Sequence, residues 1–355
     1  MHQLIKDSKN TKRERRKATQ LFCQIAKIRR IRAMTKRRIL PKLLIFFLSI
    51  LKLLPEWTMN SKYKQNFIQA GLLAKQVRIY GKMLIQKGAS YFDVIAKVNQ
   101  KIVELGARPA FPPQIALNHV AAHFLPLPGE DIIFSDEIIK LDIGVCCDGA
   151  IGDCAVTVDL SGKYQALVDA VEAALLNAEK NLKVGQPVRE IGKIIEETIS
   201  SRGFKPIKNL SGHGLGEYKI HTPPLIPNFE DQSTAIIKPG MTFAIEPFAT
   251  DGVGYIHEGG VPTIFGLASA RPVHSELGRA LLIKIRTFNG LPFAIHDLIS
   301  QDWSINKTKN ALDELIKGGV VVGYPPLIEK AKGMVAQAEN SVLVDERGNV
   351  FISTR

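Results

Sequence analysis

The residues of this chain best placed to do chemistry lie in one short stretch, Lys140–Val158, KLDIGVCCDGAIGDCAVTV. Asp148-Gly149 suits a two-residue type I′ turn, which needs positive φ at both central positions. With those two residues in the turn, Cys147 pairs with Ala150 and Gly144 lies opposite Asp153. Asp142 is two residues from Gly144 and so shares a face with Asp153, because side chains alternate along a strand. Diagonal neighbours across an antiparallel pair lie roughly 7–8 Å apart at the backbone and less at the side-chain tips. That is close enough for two carboxylates to share a cation. Gly144 adds no side chain opposite Asp153 and so leaves room for one. The other face, Leu141, Ile143, Val145, Val156 and Val158, is apolar and is expected to pack inward. Paired carboxylates in such a setting are costly without a cation. Ordinary aspartates on a solvated strand face are the competing reading, and the hairpin alone leaves both open.

Three more segments add candidate ligands. In SGHGLG, Ser211–Gly216, His213 stands between glycines, where backbone and ligand can approach closely. In PGMTFAIEPFAT, Pro239–Thr250, Glu246 interrupts an apolar strand pattern, where a glutamate needs a partner. In VAQAENSVLV, Val335–Val344, Glu339 lies beside a terminal strand. Singly these read as a loop histidine, a paired glutamate and an edge-strand charge. Together Asp142, Asp153, His213, Glu246 and Glu339 form an oxygen-rich set with one imidazole, suited to Mn, Fe, Co or Zn more than to a soft metal. Four carboxylates can neutralise two divalent ions. Such a pair, roughly 3.5–4 Å apart, can polarise a carbonyl and activate a water at neutral pH.

The elements that must position these groups read as α+β. Helical apolar spacing covers Asn60–Lys87, Tyr91–Leu105, Lys163–Asn181 and Val188–Arg202. Pro239–Phe248 reads as a turn and a strand. Between 270 and 330 the character changes: Leu281–Arg286 is expected to be a strand, and Asn306–Lys317 and Pro326–Val335 helical. Two short strands, Ser341–Asp345 and Val350–Thr354, close the chain around a turn at Glu346–Asn349.

Of the 355 residues 45% are hydrophobic and 23% charged, ordinary for a globular protein. The net charge of +13 is not ordinary, and all of it sits in residues 1–58, which hold 16 Lys/Arg against 3 Asp/Glu. Residues 59–355 balance, so a nucleic-acid patch, if one exists, belongs to the extension. Its apolar run Leu43–Leu54 contains Lys52 and is shorter than the roughly 20 residues a transmembrane helix needs. Three readings stay open: translation from Met59, a basic arm near ribosomal RNA, or a weak interfacial anchor. The first is favoured because the residues after Met59 open an amphipathic helix cleanly. Cys23, Cys146, Cys147 and Cys154 make no spaced framework, which points to reduced thiols in the cytoplasm.

These segments, in this order, resemble the pita-bread metalloproteases, and within them the type II methionine aminopeptidases of archaeal style. KLDIGVCCDGAIGD resembles the family's paired-aspartate hairpin, LSGHGLGEYKIH its two-histidine loop, FAIEPFAT its first glutamate and VAQAENSVLV its last. The resemblance covers 59–355. Glu246 and Glu339 are 93 residues apart, and the segment at about 270–330, with IKIRTFNGLPFAIHDL, is placed like the helical insertion of type II enzymes. It implies a pita-bread α+β fold and two metals, with Asp142 on one, His213 and Glu246 on the other, and Asp153 and Glu339 bridging. It also implies Glu246 as general base and His123 (NHVAAHF) and His221 (KIHTPP) as contacts to the scissile amide. Phe111 (RPAFPP) would line the methionine pocket. The implied activity is removal of the initiator methionine from nascent proteins whose second residue is small, by a cytoplasmic monomer that binds no DNA. Relatives often carry AQFEHT around the last glutamate where this chain has Ala338 and Asn340, which changes local packing there. The rivals are a prolidase-like X-Pro peptidase, which usually carries its own N-terminal domain and lacks the long insertion, and a non-catalytic ribosome- or RNA-binding relative, which typically loses ligands. Mass spectrometry of the native N-terminus is expected to find a chain that starts at Met59; a chain starting at Met1 returns the extension to the argument.

Overall fold

The computed structural model describes residues 60–355; the basic extension and the three readings of it lie outside the described residues. The chain opens with helices α1 (Asn60–Leu84) and α2 (Tyr91–Glu104). Ser90 caps α2 by accepting the Asp93 N–H on its side chain, which satisfies one of the free donors at a helix start. Tyr91, Val94, Ile95, Val98 and Ile102 then form one buried stripe at the 3.6-residue period. Short strands β1 (Arg108–Pro109), β2 (Gln114–Leu117) and β3 (Val120–Ala122) lead to the long hairpin β4 (Ile138–Cys147) and β5 (Ala150–Asp159).

That hairpin has the register its turn residues demand. Asp148 and Gly149 take φ of 47° and 88°, Cys147 faces Ala150, and Gly144 faces Asp153. Leu141, Ile143 and Val145 are fully buried and share one core with Val77 of α1 and Val94 and Val98 of α2. α1 lies so close to β5 that a Cβ on Gly152 would sit 2.5 Å from the Ala70 carbonyl. The hairpin is therefore clamped from behind, and its aspartates face the other way.

Helices α3 (Gln165–Lys180) and α4 (Val188–Ser200) follow, then β6 (Lys205–Pro206), β7 (Ser211–Gly216), β8 (Lys219–Pro227), β9 (Thr242–Ile245), β10 (Phe248–Thr250), β11 (Ile256–Glu258) and β12 (Ile264–Leu267). The remainder is α5 (Glu276–Arg286), β13 (Phe293–Ala294), α6 (Ile295–Leu298), α7 (Ile305–Lys317), β14 (Val321–Tyr324), β15 (Leu327–Glu329), β16 (Val335–Gln337), β17 (Asn340–Val344) and β18 (Val350–Ile352). The second large sheet runs β18-β17-β9-β7-β8. Its apolar side, with Phe243, Ile245 and Val342, packs on Val171 of α3 and Ile191 and Ile195 of α4.

The segment at 270–330 differs from expectation in two places. Leu281–Arg286, expected as a strand, is the second half of α5. Ser275 caps that helix through the Gly278 N–H, and Leu281, Leu282 and Ile285 bury one face; so short an apolar run does not separate the two periods. Pro326–Val335, expected as helical, instead holds β15 and a turn leading to β16. Pairing of β15 with β11 and β3 recruits it. The buried Glu329 carboxylate accepts N–H groups of Val253, Gly254, Ala331 and Gly333 and fixes the turn. The segment builds its own small core, in which Leu281, Ile285, Leu312 and Leu315 pack on Phe265 and Phe293. Among the described residues no helix is long and apolar enough to cross a membrane.

The Gly152 contact generates a prediction. Gly152→Ala forces α1 away from β5 and is expected to cost about 1–3 kcal/mol, the usual range for overpacking, read as a lowered midpoint in denaturant with unchanged slope.

Candidate metal centre

Side-chain hydrogen bonds stitch the hairpin to β16 and β17. The Asp153 N–H donates to Ser341 Oγ and the Ser341 hydroxyl returns a bond to the Asp153 carbonyl, each at 2.8 Å. Thr157 Oγ1 donates to the Gln337 carbonyl at 2.6 Å and accepts the Gln337 N–H at 2.9 Å. These bonds bring β5, which carries Asp153, against the break between β16 and β17, which carries Glu339. Asp142 lies on β4, His213 on β7, and Glu246 stands one residue past the end of β9 rather than inside it. β7 approaches β9 so closely that a Cβ on Gly212 would overlap the Ala244 carbonyl. That glycine lets His213 reach the corner.

All five sequence-derived candidates converge. Asp153, His213 and Glu339 each offer a ligand atom within 4.8 Å of the others, and so do Asp142, Glu246 and Glu339. Glu339 belongs to both sets. The family resemblance assigns His213 and Glu246 to one metal, and Asp142 also comes within ligand reach of Glu246 and Glu339. His213 Nε2 is 3.8 Å from Asp153 Oδ2. Its Nδ1 is 3.3 Å from the Gly214 carbonyl; with the proton on Nδ1, the Nε2 lone pair points into the corner.

Electrostatics tests whether a cation fits. Oδ1 of Asp142, Oδ1 of Asp153 and both carboxylate oxygens of Glu339 are buried and have no hydrogen-bond partner. Burial, and for Asp153 also the neighbouring Asp142 charge, pushes the carboxyls up: Asp142 to about 7, Asp153 well above its usual range. Glu246 and Glu339 are raised well above theirs for the same two reasons. Burial drives His213 down to about 3, so its imidazole is neutral and available as a ligand. Four like charges, three of them with unpaired oxygens, and one neutral nitrogen form a cradle that only cations or protons can neutralise. Divalent metal fits this donor set.

Two supporting residues escaped the sequence reading. Gln337 Nε2 donates to Glu246 Oε1 at 2.9 Å, leaving Oε2 free. Its signal was available: it lies two residues before Glu339, on the same side of an extended chain. Arg78 of α1 donates to the Glu339 carbonyl, to Asn340 Oδ1 and to the Thr354 carbonyl at 2.8–2.9 Å. Asn340 also donates to Glu179 Oε1 at 2.7 Å. The unusual asparagine thus fastens the glutamate strand from behind, facing away from the carboxylates.

A cavity of about 180 Å³ opens over the five groups. His123, His221 and Phe111 line its other walls. His123 is half-buried, and burial pulls its pKa to about 4; His221 stands at the exposed mouth with its ring 4.5 Å from that of His213. Phe111 corrects one expectation. A Cβ on Gly144 would overlap its ring, so the space that glycine leaves is filled by Phe111, with the cation corner alongside. Ile264 and Tyr324, Cα partners across β12 and β14, complete the wall; nothing local in the sequence marks them. Cys146 is buried and Cys147 half-buried with its thiol pushed up by burial, and neither lines the cavity.

Known proteins resemble this chain in sequence and in fold. Residues 65–346 match the model of metallopeptidase family M24. The methionine aminopeptidase of Methanocaldococcus jannaschii is 40% identical over 293 residues, covering 82% of this chain and 98% of that one. That of Archaeoglobus fulgidus is 39% identical over 84% of this chain and all of its own. The crystal structure of methionine aminopeptidase from Thermotoga maritima superposes with a TM-score of 0.59 at 21% identity, over 82% of this chain and 96% of that one. At that identity it speaks for the fold, which is the pita-bread α+β arrangement.

The raised carboxyls set the pH response of the metal-free protein. Asp142 moves from 3.8 to about 7, so folding retains a proton that the unfolded chain releases. That contribution is complete below pH 4 and is lost as pH rises through 7. In chelator the thermal midpoint is therefore expected to fall between pH 4 and 7. Added Mn²⁺ should raise it more at pH 7.5 than at pH 5, because metal then displaces fewer protons; a metal-induced shift that is equal at both pH values contradicts the shared corner.

Proposed function

The chain belongs to metallopeptidase family M24, and from that premise we propose that it is a type II methionine aminopeptidase, removing the initiator methionine from nascent polypeptides whose second residue is small. The observation that carries this reading is the convergence of Asp142, Asp153, His213, Glu246 and Glu339 on one corner with unpartnered oxygens. The likeness to full-length methionine aminopeptidases supports the substrate.

The five side chains would hold two divalent ions, Co, Mn, Fe or Zn, which when bound polarise the scissile carbonyl and lower the pKa of a water. Glu246 does the proton work. Gln337 occupies its Oε1, and Oε2 takes the proton from the attacking water and hands it to the departing amide nitrogen. His123 is neutral at pH 7 with one ring nitrogen bonded to the Pro325 carbonyl, so its other nitrogen accepts the N–H of the scissile amide, with charge developing on the carbonyl oxygen met by His221 from the mouth. Phe111 and Ile264 give the methionine side chain an apolar wall. We place the reaction in the cytoplasm, where nascent N-termini emerge, and assign it to a monomer. Proximity to ribosomal RNA through residues 1–58 rests on their charge alone.

A peptide panel tests the reading. Release of Met from Met-Ala-Ser with added metal, and none from Met-Lys or Gly-Pro peptides, is the expected result; Gly-Pro cleavage selects a prolidase, and inertness with every metal selects a binding module. Asp153→Asn is expected to lower turnover by more than about 100-fold, since even the groups that merely orient metal ligands are worth about 10–100-fold. Its circular dichroism should match the parent, because the amide keeps the carboxylate's shape.

A further inference from the structure

Gln114 begins β2 and is the Cα partner of Asp142 across the ladder. It is 7% exposed and lines the cavity. Its Oε1 accepts the backbone N–H of His123 at 2.7 Å. An N–H donor can be met only by the amide oxygen, so this bond also fixes which way the carboxamide is turned.

The bond falls at a strained place. His123 has φ of 58°, a left-handed conformation that is strained for a residue with a side chain and persists only where the surroundings enforce it. Backbone torsion sets the direction of the Cα–Cβ bond and therefore where the imidazole points. The Ala121–Ala122 stretch before it is buried, and the ring itself meets Tyr324 at 5.7 Å between centroids. Among the described residues, Gln114 is the side chain that holds the His123 amide.

We propose that Gln114 is a positioning residue for the reaction: by holding the His123 N–H it keeps the left-handed backbone turn that aims the imidazole into the cavity. The inference rests on the reading of His123 as the hydrogen-bond partner of the scissile amide. It assigns Gln114 no contact with substrate or metal.

The test compares Gln114→Met, which keeps the volume and removes the acceptor, with Gln114→Glu, which keeps an acceptor oxygen. Each is made in the parent and in the His123→Ala background, with metal content and thermal midpoint measured on every protein. On Met-Ala-Ser, Gln114→Met is expected to lower kcat by about 10–100-fold, the scale of an ångström-level misplacement, with KM changed less than about threefold and metal content unchanged. Gln114→Glu recovers most of that loss. In the His123→Ala background Gln114→Met has no further effect, because the two act as one unit. Independently of turnover, the His123 imidazole signals in ¹⁵N-labelled protein shift in Gln114→Met and return in Gln114→Glu. An equal loss in both backgrounds, a loss that follows metal content or stability, or imidazole signals that do not move overturns the proposal. A parent protein that leaves Met-Ala-Ser intact with every metal sinks the functional reading instead, and the imidazole signals still decide the role of Gln114.

Discussion

Repulsion among four carboxylates, two buried and two half-buried, is the constraint that organises this molecule. Asp142, Asp153, Glu246 and Glu339 come from separate strands and strand ends, yet they crowd into one corner where water screens them poorly. Left to itself such a corner would spring apart or fill with protons. The structure resists by making each backbone segment immobile for reasons that have nothing to do with charge. α1 presses on Gly152 behind the hairpin, Ser341 bonds both the N–H and the carbonyl of Asp153, and Thr157 does the same for Gln337. The energy for that rigidity comes from ordinary apolar burial on the far faces, in two separate cores. Metal affinity is in this sense stored in the packing.

The same division of labour explains the chain's departures from the common pattern around its last glutamate. Ala338 and Asn340 flank Glu339 and, by alternation, face away from the carboxylates. What matters on that side is that the strand be anchored, and Arg78, Glu179 and Thr354 anchor it through Asn340. A different side chain can serve there because the job is mechanical. On the metal side the donor chemistry leaves no such freedom.

The substrate half of the cavity is built on a different principle. His123 and His221 both hold left-handed backbone conformations, at 58° and 59°, and Ile264 and Tyr324 pair across β12 and β14 and pack on the hairpin core. Strain and long-range packing place these groups.

Much of this was written in the sequence, for local reasons. Asp148-Gly149 sets the turn, the turn sets the register, and alternation then puts Asp142 and Asp153 on one face; each step spans only a few residues. The helices flanking the hairpin follow from apolar spacing in the same local way. The resemblance of the motifs joined the distant His213, Glu246 and Glu339 to that hairpin, which spacing alone could not do. Tertiary structure decided the rest. Leu281–Arg286 became helix, and Pro326–Val335 a short strand and a turn, because caps and partners outside each segment outweighed its own ambiguous period. The space beside Gly144 went to Phe111, which approaches from another part of the chain. Gln114 and Arg78 acquired their roles only through bonds to residues 9 and more than 260 positions away. Periodicity and turn chemistry act over a few residues and are legible in order; a cavity wall is a set of coincidences between distant segments, and only the folded chain brings them together.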